Sequence, residues 1–109
     1  MERVRELRTQ SLSLILTKLM STLILYSKPG CHLCEGLQEK LEQIQGLNFQ
    51  LEIRDITTQR DWFEAYQYEI PVLFCRDDHP NPEETPIPRP SPRLSVTQLQ
   101  RHLQPYFMT

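Results

Sequence analysis

Cysteine is scarce in this sequence, glycine equally so, positive charge shows no excess, and no apolar run is long. Three cysteines among 109 residues are too few, and odd in number, for the disulfide framework of a small secreted domain. Lysine and arginine number 12 against 14 aspartate and glutamate, a net charge of −2. That balance excludes a cationic nucleic-acid binder or a binder of anionic membranes. Residues 1–19 place a charged start before Leu12, Leu14, Ile15, Leu16 and Leu19. Lys18 interrupts that run, and no small-x-small cleavage site follows. The uncharged stretch Thr9–Thr17 falls far short of the ~20 residues a membrane helix needs. Residues 1–21 are therefore expected to be an extension, short and amphipathic or frayed, or an upstream addition before Met20. Residues 22–109 are expected to form one domain, since ~100–200 residues per domain is usual. Proline, in contrast, is abundant: nine residues, six of them within the segment 80–92.

The periodicities give an element order. Thr22–Tyr26 is a continuous β-rich apolar run, as in a strand buried on both faces. Leu33, Leu37, Leu41 and Ile44 recur at helical spacing, with Lys40 among the polar positions of the other faces and Gly46 placed as a C-terminal stop. Phe49, Leu51 and Ile53 alternate with Gln50, Glu52 and Arg54, the mark of a half-buried strand. Thr58 and Asp61 form a capping-box pattern before a helix carrying Trp62, Phe63 and Tyr66, residues expected to pack on the core. Ile70–Cys75 is a second buried strand with proline near its start. Glu84–Pro88 is expected to return as a short antiparallel edge strand. Ser95 and Gln98 open a last helix with Val96, Leu99 and Leu103 inward, His102 on its polar side, and an end at Pro105. Strands alternating with helices predict an α/β fold: a small mixed sheet of about four strands flanked by about three helices.

The chemistry concentrates at Lys28-Pro-Gly-Cys31-His-Leu-Cys34, between the first strand and the first helix. Cys31 falls just before the first helical turn, where unpaired N–H groups and the positive end of the helix dipole favour a thiolate. Cysteines so placed have pKa values of roughly 3.5–7.5 instead of ~8.5. Cys34, one turn on, is close enough to form a disulfide with Cys31, yet is more buried and lacks the same donors. The asymmetry makes Cys31 the attacking and Cys34 the resolving residue. His32, as imidazolium, and Lys28 would add positive potential for that thiolate; either is alternatively a plain surface residue.

Tyr26-Ser-Lys-Pro-Gly-Cys-His-Leu-Cys34 resembles the active-site segment of glutaredoxins, small thioredoxin-fold thiol–disulfide oxidoreductases. Glu69-Ile-Pro-Val72 resembles the cis-proline loop of the same fold. The resemblance covers Thr22–Cys75 well and the last helix loosely. It implies a thioredoxin-like fold, a cis Ile70–Pro71 bond and a substrate-binding surface including Tyr26, Ile70 and Pro71. Two departures stand out. His32-Leu33 replaces the Pro-Tyr usual between the cysteines, and Glu83–Leu94 lacks the Gly-Gly turn that precedes the last helix in glutathione users. These departures point away from a glutathione site. They leave glutathione or a thioredoxin-reductase-type donor as the source of electrons, with no tightly bound cofactor. Arg89 and Arg93 would lie near the start of the last helix and select an anionic partner.

The expected activity is therefore thiol–disulfide exchange on protein or small-molecule disulfides, by a monomer in a reducing, cytoplasmic compartment, away from nucleic acid and membranes. Two alternatives compete. One is a thioredoxin-fold binding module without turnover, docking through the proline-rich segment. The other is a metal site on Cys31 and Cys34: zinc completed by Cys75 and His79, or an iron–sulfur cluster shared between subunits. Cys75, in a strand taken as buried, is otherwise a small hydrophobe.

Overall fold

The computed structural model describes residues 21–77 and 82–107. Strand β1 (Ser21–Ser27) leads to helix α1 (His32–Glu42), strand β2 (Phe49–Asp55), a single 3-10 turn (Ile56–Thr58) and helix α2 (Arg60–Tyr66). Strands β3 (Val72–Asp77) and β4 (Glu84–Ile87) follow, then helix α3 (Val96–Phe107). The sheet order is β2-β1-β3-β4. β1 runs parallel to β2 and antiparallel to β3, and β4 is antiparallel to β3. This is the four-stranded mixed sheet with three α-helices of a thioredoxin-like fold. Residues 1–20, 78–81 (His79 among them) and 108–109 lie outside the described residues.

Strand alternation sends side chains to two faces with separate cores. Leu23, Leu25, Leu73 and Ile87 face α1 and α3, where Leu41, Leu99, Leu103 and Phe107 complete one buried cluster. Ile24 and Tyr26 face the other way, against Ile56, Trp62, Phe63 and Tyr66. β1 is buried on both sides from Thr22 to Tyr26, which explains its unbroken apolar run. A fully buried leucine contributes about 1.5–3 kcal/mol, so β1 carries a large share of the stabilisation.

The second face has little helix to cover it, because α2 spans only seven residues. Side-chain charge fills the gap. Arg54 lies 5.3 Å from the ring centroids of both Tyr26 and Trp62. Its guanidinium donates to Tyr26 Oη at 2.6 Å, to Glu52 Oε2 at 2.6 Å and to Glu84 Oε2 at 3.0 Å. Burial opposes the charge, and these hydrogen bonds overcome it, so the Arg54 pKa lies above the ordinary guanidinium value. Arg76 joins the lattice through Glu52 Oε1 at 3.3 Å. One network thereby ties all four strands.

Four local expectations are corrected. α1 stops at Glu42, where the Gln43 N–H turns back to Lys40 O at 3.1 Å; Gly46 lies beyond that end, beside the flexible Gln100 side chain of α3. Thr58 does not cap α2. It sits in the 3-10 turn, which Asp55 caps through Thr57 N at 2.9 Å. The Thr57 hydrogen bonds hold the Asp55 carboxyl below the ordinary carboxylate range. α3 continues past Pro105 to Phe107. Pro105 takes an N–H only from the carbonyl of the exposed Arg101, whereas Phe107 gains a packed core position 5.2 Å from Phe49. Ile53, on the outer strand β2, is exposed. The Ser95–Gln98 box does form, with Ser95 N to Gln98 Oε1 at 2.9 Å and Gln98 N to Ser95 Oγ at 3.1 Å.

Replacing Arg54 with methionine leaves Glu52, Glu84 and Tyr26 Oη without their shared donor. Hydrogen bonds to charged groups contribute about 1.5–3 kcal/mol, so Arg54→Met should lower the urea-unfolding free energy by about 2 kcal/mol. A loss under about 0.5 kcal/mol, the scale of an ordinary surface substitution, contradicts the role given to the network.

Candidate active site

The site begins where β1 ends. Cys31 N donates to Lys28 O at 3.1 Å, and Gly30 has φ +84°. Proline second and a positive-φ glycine third are the requirements of a type II turn, met by Lys28-Pro-Gly-Cys31. Any other residue at Gly30 would be strained. The turn delivers Cys31 in extended conformation as the N-cap of α1. Its Sγ takes the place a serine or aspartate oxygen fills in ordinary caps, accepting from Cys34 N at 3.2 Å. Its carbonyl accepts from Glu35 N at 3.0 Å. Cys34, 2% exposed, is joined to Cys31 by a disulfide with a Cα–Cα distance of 5.3 Å.

The family model of the glutaredoxin-like domain (DUF836) matches residues 22–104. The chain belongs to this family. No curated protein matches the chain. The glutaredoxin-like domain accounts for the architecture, and its bonded Cys-x-x-Cys pair fits a redox-type function. Among the described residues, no helix is long and apolar enough to cross a membrane.

The other candidate residues divide into those near the sulfurs and those elsewhere. Pro71 follows a cis peptide from Ile70 and lines a groove with His32, Leu33 and Arg89. Ile70 N donates to Tyr66 O at 3.1 Å. Arg89 lies over the same loop, Nη1 3.4 Å from Glu69 O and Nη2 3.4 Å from Ile70 O. The His32 imidazole is 94% exposed and sits 3.4 Å from Glu35 Oε1. Lys28 is exposed and takes part in the turn through its carbonyl. Arg93 is exposed; its backbone N–H donates to Ser91 Oγ at 3.2 Å, and it does not line the groove. Tyr26 is not brought to the site. It is buried on the α2 face with its ring 4.5 Å from Tyr66 and its hydroxyl taken by Arg54. Position 26 alternates away from the face that packs against α1.

Sequence reasoning placed Leu33 inward and missed Lys40. Leu33 is 50% exposed in the groove. Lys40 donates from Nζ to Pro92 O at 2.8 Å and to Leu94 O at 2.7 Å. The available signal was spacing, since Lys40 lies three and four positions after Leu37 and Gly36, on their face of α1. His102, also assigned to the polar surface, donates to Pro88 O at 2.7 Å. The proline-rich segment is thus held from α1 and from α3.

Cys75 stands apart. It pairs with Leu23 on the α1 face of the sheet, three strand positions before Tyr26, so roughly 10 Å from the site end of the sheet. It is half-buried instead of fully buried, and burial raises its thiol pKa. Cys75, the described remaining member of the zinc set, is not brought to Cys31 and Cys34, and among the described residues no three His, Cys, Asp or Glu side chains are grouped to hold a metal.

A raised thiol pKa leaves little thiolate at neutral pH, and reactivity climbs as pH rises. In the reduced protein at pH 7, Cys31 should alkylate with iodoacetamide at least about tenfold faster than Cys75. The difference should narrow toward pH 9. Peptide mapping that finds Cys75 as fast as Cys31 at pH 7 contradicts these environments.

Proposed function

We propose that this protein is a thiol–disulfide oxidoreductase acting on protein or small-molecule disulfides, with Cys31 as nucleophile and Cys34 as resolving thiol. The observation that carries the reading is the asymmetry of the pair. Cys31 Sγ receives a backbone N–H at the helix start, while Cys34 is sealed in the first turn. Donors aimed at a sulfur stabilise the thiolate, which is the attacking species.

The Cys31 thiolate attacks one sulfur of a substrate disulfide. A Cys31–substrate disulfide forms, and the other substrate sulfur leaves as a thiolate and takes a proton. Cys34, deprotonated, attacks Cys31 Sγ, closes the Cys31–Cys34 bond and expels the second substrate thiol. Two electrons and two protons pass from the dithiol to the substrate. A thiol donor, glutathione or a thioredoxin-reductase-type dithiol, reverses the sequence on the closed pair. Pro71 shapes the wall beside the sulfurs, and the Lys28 charge favours the thiolate. The reading places the protein as a monomer in a reducing, cytoplasmic compartment without a tightly bound cofactor.

Cys31→Ser should abolish exchange with a mixed-disulfide substrate, a loss of at least about 100-fold, because no other thiol reaches the substrate as a thiolate. Cys34→Ser should retain the first step and accumulate a covalent adduct on Cys31, visible by intact mass and released by dithiothreitol. Exchange retained in Cys31→Ser, or no adduct in Cys34→Ser, contradicts the assignment.

A further inference from the structure

A partly open groove of about 100 Å³ lies next to the active-site turn, lined by His32 and Leu33 from between the two cysteines; it is smaller than a typical small-molecule site. Its walls are α1 and the segment before α3. Leu33, Leu37, Pro71, Pro90 and Pro92 make it apolar. Two cations, Lys40 and Arg89, also line it. Among the described residues neither faces a carboxylate; both are bonded to main-chain carbonyls instead. Arg54, Arg60 and Arg76, away from the groove, are all paired with glutamates.

The groove is poorly suited to recognition by strand addition. Pro88, Pro90 and Pro92 have no N–H to offer. Ile70 N is spent on Tyr66 O, and the Glu69 and Ile70 carbonyls are capped by Arg89. Those caps are long, 3.4 Å each. A carboxylate offers the same guanidinium a charge-assisted, bidentate contact of about 2.7–2.9 Å. An incoming acidic group therefore outcompetes the carbonyls for Arg89 and uncovers them for the substrate's own N–H groups.

We propose that Arg89 is a specificity-determining residue that selects protein disulfides whose reactive cysteine is flanked by an apolar and an acidic residue. The apolar side chain seats on Leu33 and the prolines, and the acidic one draws Arg89 off the Glu69–Ile70 carbonyls. This rests on the exchange reaction proposed above and names its substrate class.

The test uses the reduced full chain and 2-pyridyl mixed disulfides of short peptides containing Leu-Cys-Glu, Leu-Cys-Lys, Gly-Cys-Glu or Gly-Cys-Lys, followed by release of pyridine-2-thione. Leu-Cys-Glu should react fastest, about fivefold faster than Leu-Cys-Lys at low salt, the upper end for an exposed ion pair. The ratio should shrink with added salt. It should fall to near one in Arg89→Gln, survive in Arg89→Lys and invert in Arg89→Glu. Arg93→Gln, which alters an exposed cation outside the groove, should leave it intact. Leu33→Ser should remove the preference for Leu over Gly.

Equal rates across the charge series, or a ratio unmoved by Arg89→Gln, overturns the proposal while leaving exchange standing. A glutathione mixed disulfide that outpaces every peptide overturns the choice of a protein substrate. No release above that of Cys31→Ser from any substrate defeats the exchange reading itself and this inference with it.

Discussion

The structure depends on β1 being wedged between β2 and β3 with both faces buried. About twenty-four ångströms of strand run through the centre of the sheet, where ladders on both sides and two cores hold it. (Seven residues at about 3.4 Å each give that length.) Its C-terminal end is therefore fixed, and the turn closed by Gly30 hands that precision to Cys31. The helix that follows anchors through Leu41 in the same core. Cys31 is thus set by a strand on one side and a helix on the other. The Cys34 N–H is aimed at its sulfur by backbone geometry, without a dedicated side chain.

The two faces of the sheet solve their burial differently. The α1 and α3 face is a continuous apolar layer. The opposite face is half apolar under α2 and half ionic, with Arg54 and Arg76 interleaved with Glu52 and Glu84. Partly buried charges are stabilising only when every partner is present, and here each arginine has more than one. The proline-rich segment is held in a comparable way. Prolines keep it extended, while Lys40, His102 and Arg89 hold its carbonyls or use it as a base from which to reach the Pro71 loop.

What was legible in the sequence was local. The β1 run, the Pro-Gly turn, the two cysteines one helical turn apart and the Ser95–Gln98 box each contain their own cause within a few residues, and each formed. What was not legible depends on partners far along the chain. Pro105 reads as a terminator until Phe107 finds Phe49. Lys40 reads as a surface lysine because Pro92 and Leu94, more than fifty residues on, supply its acceptors. Tyr26 belongs to the active-site segment in sequence, yet strand alternation turns it to the other face. Arg54, a polar residue in a half-buried strand, gave no hint of the ring pair that receives it. For the site, the sulfurs and Pro71 could be read from the chain; the groove next to them, between α1 and the proline-rich segment, required the fold.

The proposed function requires Cys31 and Cys34 to form a working redox couple. The direct measurement is the redox state of that pair, read by differential thiol labelling across glutathione and dithiothreitol buffers, with Cys75 replaced by serine. A reversible two-electron transition at roughly −180 to −270 mV, the span of disulfide isomerases, glutaredoxins and thioredoxins, is the result this account predicts. A pair that never closes in any buffer, or that resists labelling until a metal is stripped, would contradict it.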